Sequence, residues 1–324
     1  MQILSFEEYG KEKALELYQL WNWEYGFIFP ITKELFMRNT YATPGFLENE
    51  SYVALVDNKP VGFIIDKIWQ HQIELEQYLG IGWISLIFVK SEYRNQGIGT
   101  RLLDNALSAF KKRAINKIYL GKDYQNFFPG LPKDLKAFHE WFVKRGFQAL
   151  YETNDLINLN LNSFKMPLVE YRSKEQYTIK LLEEKDIPSM QKFLEDNFPG
   201  RWLVEYCDYL KQGGTGNEFL ICINSLHEVI GFCRIGTNDT PINQIGFSLT
   251  WRKRFSCLGG LGPLGVAKGY RHQNIAHNLL VKAILELKYR GCDKVIIDWT
   301  NLLELYRLFG FELWKTYTYF EKNI

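Results

Sequence analysis

Residues 83–103 read WISLIFVKSEYRNQGIGTRLL. The run Trp83 to Val89 is rich in β-branched and aromatic residues and predicts a strand. Arg94, Gly97 and Gly99 then stand just ahead of an amphipathic segment that predicts a helix. Two glycines at a strand-to-helix turn let the backbone come close to a ligand. The first N–H groups of the helix have no partner inside it and suit an anion. The stretch therefore reads as a seat for a pyrophosphate, or more plainly as a tight turn with small residues for packing.

Upstream, Ser51–Val56 and Val61–Ile65 are strand-like runs joined by Asp57-Asn58-Lys59-Pro60, which predicts a hairpin. Phe6–Tyr25 carries Leu, Glu and Lys at helical spacing. Downstream, Ile98, Leu102, Leu103, Ala106, Leu107 and Phe110 share one stripe, so the helix is a crossover and Lys117–Leu120 is expected to run parallel to the strand before it. The same order returns in the second half. Phe219–Ile223 and Val229–Cys233 repeat the hairpin, Leu261–Val266 the strand, Tyr270–Ala276 the turn and Lys294–Ile297 the next strand. Each half closes on a Gly-Phe pair, Gly146-Phe147 and Gly310-Phe311. Five features in one order indicate a duplicated domain. The fold expected is mixed α/β, with domains over 1–165 and 166–324 joined within Ser163–Gln176. The first half is longer by the aromatic and proline-rich stretch Gly121–Lys133, expected as a lid over a ligand or as a surface excursion.

Length and composition bound the function. The 324 residues suffice for two cores, and a net charge of +2 gives no bulk field for nucleic acid or an anionic membrane. No apolar run reaches the roughly 20 residues that span a bilayer, and the first residues are too acidic for a signal peptide. A cytoplasmic location is expected. The five cysteines form no C-x-x-C and are expected as free thiols, and the histidine spacing supports no metal site.

A strand ending in Val, then R-x-x-G-x-G, an amphipathic helix, a parallel strand and a closing Y-x-x-x-G-F together resemble the GNAT acetyltransferases, in two tandem copies across the chain. The resemblance implies that acetyl-CoA is the cosubstrate and that the loop amides hold its pyrophosphate. It assigns cofactor contacts to Phe88, Val89, Arg94, Asn95, Gln96, Gly97, Ile98, Gly99 and Thr100. In the second copy it assigns them to Leu264, Val266, Arg271, His272, Gln273, Asn274, Ile275 and Ala276. Asn274 and Ala276 replace the two glycines, and an asparagine takes left-handed backbone only at a steric cost. The family's tyrosine is Tyr306 in the second half but Phe142 in the first. The first half is thus expected to bind better and the second to carry the chemistry. In detail, Phe198–Trp202, Leu261–Val266 and Ile297–Thr300 look like the tandem glucosamine/glucosaminide N-acetyltransferases, which implies an amino-sugar acceptor.

Acetyl transfer to an amine needs alignment, a polarised carbonyl, a base for the ammonium and a proton for the leaving thiolate. A free N–H near Val266, or near Val89 if the first half is active, suits the carbonyl. Tyr306, with an ordinary phenol value of about 10, is the expected proton donor, or else a core tyrosine. Asp298 either binds and deprotonates the ammonium or caps the following helix. Trp202, Trp299 and Asp123 are the expected acceptor contacts. The partner expected is a small-molecule amine, acted on by a monomer or homodimer. Two alternatives stand beside this: transfer in the first half with Tyr124 or His139 as acid, and an acyl-CoA-binding module without turnover. Aminoacyl transfer from a charged transfer RNA is disfavoured by the weak net charge.

Overall fold

The computed structural model describes residues 1–165, 176–244 and 249–324. The expected join, Ser163–Gln176, lies largely outside them. The strands, in chain order, are β1 (Gln2–Ser5), β2 (Tyr52–Val56), β3 (Lys59–Ile68), β4 (Ile81–Val89), β5 (Lys117–Leu120), β6 (Leu131–Pro132) and β7 (Gln148–Asn158). They continue with β8 (Tyr177–Leu181), β9 (Phe219–Asn224), β10 (Val229–Thr237), β11 (Leu258–Val266), β12 (Lys294–Thr300) and β13 (Glu312–Asn323). Among the described residues no helix is long and apolar enough to cross a membrane. The five cysteines are free thiols, three of them buried.

The chain forms two compact units. Unit 1 comprises Met1–Thr153, Leu249–Arg254 and Lys315–Ile324; unit 2 comprises Asn154–Ser248 and Phe255–Trp314. In unit 1, β1 to β4 pair antiparallel in sequence order. The β2–β3 hairpin turns on Asp57 (φ 49°) and Asn58 (φ 58°), short polar residues that tolerate left-handed backbone. β5 lies parallel to β4, as its crossover helix requires, and the end of β13 pairs antiparallel with β5, Glu321 opposite Tyr119. The crossover helix, Ile98–Lys112, buries Ile98, Leu102, Leu103, Ala106 and Phe110 against this sheet. Each such large apolar side chain contributes about 1.5–3 kcal/mol. Unit 2 repeats the plan: β8, β9, β10 and β11 pair antiparallel, β12 lies parallel to β11, and the end of β7 flanks β12 with Ile297 opposite Leu156.

Each unit is thus completed by a strand from the other half of the sequence. Lys315–Ile324 belongs to unit 1, and Asn154–Asn158 to unit 2. The sequence reading did not foresee this, because a strand's hydrophobic pattern shows that it pairs and not with what. The stretch Gly121–Lys133 is a packed wall of unit 1, unlike either form expected for it. Phe127 and Phe128 are buried, and β6 within it pairs Leu131 and Pro132 with Thr318 and Tyr317. Phe6–Tyr25 forms three short helices, Phe6–Tyr9, Lys11–Ala14 and Tyr18–Tyr25, behind the unforeseen β1.

Fragments 1–165 and 166–324, expressed separately, each lack a strand of their own unit. We expect neither to melt cooperatively in calorimetry and a single cooperative transition to return on co-expression. Two separate transitions near that of the whole chain would contradict the exchange.

Candidate active site

In unit 1, β4 pairs with β3 over most of its length but with β5 only from Ile81 to Ile84. Beyond Ile84 the two parallel strands part. Lys90 donates its N–H to the Val61 carbonyl of β3 at 2.9 Å. By the alternation of a strand, Ile87 and Val89 therefore direct their backbone groups into the opening. Unit 2 has the same geometry. β11 pairs with β12 only from Leu258 to Gly260, and Ala267 donates to Ile230 at 2.9 Å, so Leu264 and Val266 face the opening. The registers match: Val89 and Val266 each lie eight residues past the partner of the first residue of the next strand, Lys117 or Lys294.

The arginines of the two loops act on the protein's own backbone. Arg94 donates Nε–H to the Val89 carbonyl at 2.8 Å, and Arg271 does the same to Val266 at 3.1 Å. Arg94 also pairs with Glu24 and lies 5.9 Å from the Tyr25 ring centre and 5.5 Å from that of Phe138. The backbone is what the loop offers a ligand. Asn95 (φ 58°) and Gly97 (φ 80°) turn it into the helix that begins at Ile98. The amides of Ile98, Gly99 and Thr100 have no partner within that helix. A Cβ on Gly99 would come within 3.3 Å of the Trp141 ring, so the residue must stay small. Beside the loop lies a cavity of about 230 Å³, walled by Phe88, Val89, Arg94, Asn95, Gly99 and Trp141. Gln96 is exposed, its amide tied to the Glu92 carbonyl, and Thr100 accepts from Arg145 at 2.6 Å. An anionic head and a narrow arm, as in coenzyme A, fit this seat.

In the second loop His272 (φ 61°) and Asn274 (φ 60°) follow the first loop's trace without a glycine. Gln273 hydrogen-bonds the Gly269 carbonyl, Ile275 is buried and opens the helix, and Ala276 stands at the place of Gly99. The steric cost expected at Asn274 leaves the backbone shape intact.

Where the strands part, the copies differ. Phe147 N–H donates to the Phe142 carbonyl, and Phe311 N–H to the Tyr306 carbonyl, so Phe142 and Tyr306 hold the same place. By strand register Gly121 corresponds to Asp298. Unit 2 thus has a carboxyl and a phenol where unit 1 has a hydrogen atom and a phenyl ring. Tyr306 is buried, beside the Thr300 side chain and within electrostatic reach of Cys233 and Asp298. Burial, then those two groups, push its phenol well above the ordinary range. Asp298 is half-buried, and desolvation pushes its carboxyl up to about 8. The neighbouring carboxylates Asp155 and Glu205 raise it further, and Arg201 opposes them.

Asp155 was not foreseen in the sequence. It is fully buried on the exchanged strand and accepts the Trp299 N–H at 3.3 Å. Trp299 takes left-handed backbone (φ 53°) at a bulge, where β12 slips against β7 between Ile297 and Thr300. Bulges of this kind re-aim side chains at sites, and a left-handed tryptophan persists only where its surroundings hold it. Arg201 stacks 4.5 Å from the Trp299 ring centre and bonds Glu205 at 2.5 Å. The Asp155–Trp299 bond joins residues 144 positions apart, a pairing that no local pattern signals.

The other expected acceptor residues divide. Trp299 sits with Asp298, whereas Trp202 packs on Phe198 (4.8 Å) and Phe232 (5.8 Å) in the core of unit 2. Asp123 belongs to unit 1, buried in an ion pair with Lys67 at 2.6 Å and accepting from Ser85 at 2.9 Å. Of the alternative acids, His139 contacts the Pro132 carbonyl at 3.1 Å, and Tyr124 lies in a ring cluster with Trp69 and His71.

The loop geometry fixes two stability outcomes. Gly97→Ala, which places a Cβ at positive φ, should cost about 1–2 kcal/mol, and Asn274→Gly should cost less than that, since glycine takes the left-handed turn freely. Thermal denaturation checks both.

The model of the acetyltransferase (GNAT) family matches residues 14–128 and again residues 187–311. An uncharacterised N-acetyltransferase of Methanocaldococcus jannaschii is 31% identical over 102 residues, which cover 31% of this chain and 40% of that protein. Among solved structures, the glucosamine N-acetyltransferase region of a fungal multi-domain β-N-acetylglucosaminidase superposes with a TM-score of 0.87 at 24% identity, over 99% of this chain and 38% of that one. The chain therefore matches about two fifths of the length of each of these two relatives. A tandem GNAT protein from the clavulanic acid biosynthesis pathway gives a TM-score of 0.62 at 11% identity, over 99% of this chain and 98% of that one. At such identities the structures show a shared fold. The family model, matching more than half of the chain in two successive stretches, shows more: the chain belongs to the acetyltransferase (GNAT) family, a family of acyltransferases, and is built from two tandem copies of its domain.

Proposed function

We propose that the chain is an acetyl-CoA-dependent N-acetyltransferase that acetylates the primary amine of an amino sugar, glucosamine or a glucosaminide, in unit 2. The observation that carries this reading is the pairing of Asp298 and Tyr306 at the strand opening of unit 2, against Gly121 and Phe142 in unit 1. Acetyl-CoA, when bound, supplies the activated acetyl group and the departing thiolate. The inward N–H groups of Leu264 and Val266 are placed to donate to a developing oxyanion. Asp155 and Glu205, beside Asp298, give the pocket negative charge that favours an ammonium. A carboxyl pushed up to about 8 is a better match to an ammonium than an ordinary aspartate, so its proton can be taken near neutral pH. Tyr306 keeps its proton at that pH and can give it to the thiolate.

The amino-sugar acceptor rests on the carboxylate cluster, on the Trp299 face beside it and on the acceptor named for the fungal relative. A small acceptor and a cytoplasmic setting accord with a net charge of only +2.

Turnover is measured as thiol release from acetyl-CoA in the presence of glucosamine or a chitosan disaccharide. Because Asp298 must be ionised to act as base, kcat/KM should fall about tenfold per pH unit below pH 8 and level off above it. Asp298→Asn should remove that limb, and Tyr306→Phe should lower kcat by about a hundredfold or more. Full activity of Tyr306→Phe, or no turnover on any amine, would defeat the reading. Asp155→Asn removes a negative neighbour and should move the inflection to lower pH; an unmoved inflection would show that Asp155 only holds the bulge.

A further inference from the structure

The cavity beside the first loop has a neighbour. Ile87 and Phe138 wall both it and a second cavity of about 50 Å³ further along β4. The second cavity is a chamber at the parted ends of β4 and β5, next to the one beside the helix amides. The chamber is lined by Leu86, Leu120, Phe128, Leu131, Leu135 and Phe142. Its far wall comes from the stretch present only in unit 1: Phe128 is buried there, and Leu131 is fixed by the pairing of β6 with Thr318. At the places of Asp298 and Tyr306 the chamber has Gly121 and Phe142, which can neither take nor give a proton, and the hydroxyls on its lining are those of Tyr25 and Ser85.

We propose that unit 1 retains a coenzyme A thioester whose acyl chain is longer than acetyl, and does not pass it to an amine. The proposal rests on the coenzyme reading of the first loop. A chamber of about 50 Å³ holds on the order of three or four water-sized groups, so a chain of about four carbons fills it. Burial of each added methylene in this apolar space should tighten binding about fourfold.

The test is calorimetric titration of the whole chain with coenzyme A, acetyl-CoA, butyryl-CoA and octanoyl-CoA. Leu131→Trp, which fills the chamber from its rim, identifies the sites of unit 1. At those sites butyryl-CoA should bind on the order of tenfold tighter than acetyl-CoA, and octanoyl-CoA no tighter than butyryl-CoA. Leu131→Trp should abolish the preference, and Phe142→Ala, which enlarges the chamber, should move it to longer chains. The butyryl-CoA so held should be recovered intact after incubation with glucosamine. Equal or tighter binding of acetyl-CoA, or consumption of this butyryl-CoA by the amine, would overturn the proposal. If coenzyme A binds and chain length has no effect, the chamber reading fails and the coenzyme reading stands. If coenzyme A does not bind at these sites, both fail. Should Leu131→Trp not fold, the wild-type series and Phe142→Ala still decide the matter.

Discussion

Everything in this molecule depends on two parallel strands that pair for a few residues and then part. A strand edge left unpaired inside a fold carries N–H and C=O groups that must find partners. Here each edge keeps one side bonded to its antiparallel neighbour and turns the other side into an opening. The loop arginine takes the last carbonyl, at Val89 in one unit and Val266 in the other. What remains are inward N–H groups and, at the mouth, the open amides of a helix N-terminus. Both favour negative charge, the standing charge of a pyrophosphate at one end and the transient charge of an oxyanion at the other.

The two copies hold this frame with different residues. Gly97 and Asn274 adopt the same left-handed turn, so the loop's shape does not require a glycine. At the opening the frame is constant and the chemistry is not. Unit 2 surrounds Asp298 with Asp155, Glu205 and Arg201 and sets Tyr306 nearby, while unit 1 carries apolar groups and a wall of thirteen additional residues. Desolvation first, and the carboxylates of Asp155 and Glu205 after it, make the Asp298 carboxyl resist ionisation. The mainly apolar chamber of unit 1 has no carboxyl at the matching place. The two units thus share one backbone frame and differ in the side chains at its opening.

Much of this was legible in the residues. The pattern of strand, R-x-x-G-x-G and striped helix is local, and its return at Tyr270–Ala276 gave away the duplication even where glycine had been replaced. The parallel strands followed from the crossover helices, and Tyr306 against Phe142 followed from the closing motif. What escaped was non-local. Asp155 lies in a strand whose partner is 140 or so residues away, and alternation along Gln148–Asn158 says nothing about which unit that strand completes. The left-handed turn at Trp299 has no glycine or asparagine to announce it, because the bulge and the Asp155 contact hold it in place. The bond from Arg94 to the Val89 carbonyl was not legible either, since the residue's type and spacing suit a phosphate equally well and only the fold brings that carbonyl within reach.

The central claim is that one unit turns over and the other holds. It is tested most directly by a single-turnover experiment on the intact chain, saturated with radiolabelled acetyl-CoA and mixed with glucosamine together with an excess of unlabelled acetyl-CoA. The account predicts one labelled product per chain, with the label of unit 1 lost to exchange rather than to the amine. Two labelled products per chain, formed at one rate, would contradict it.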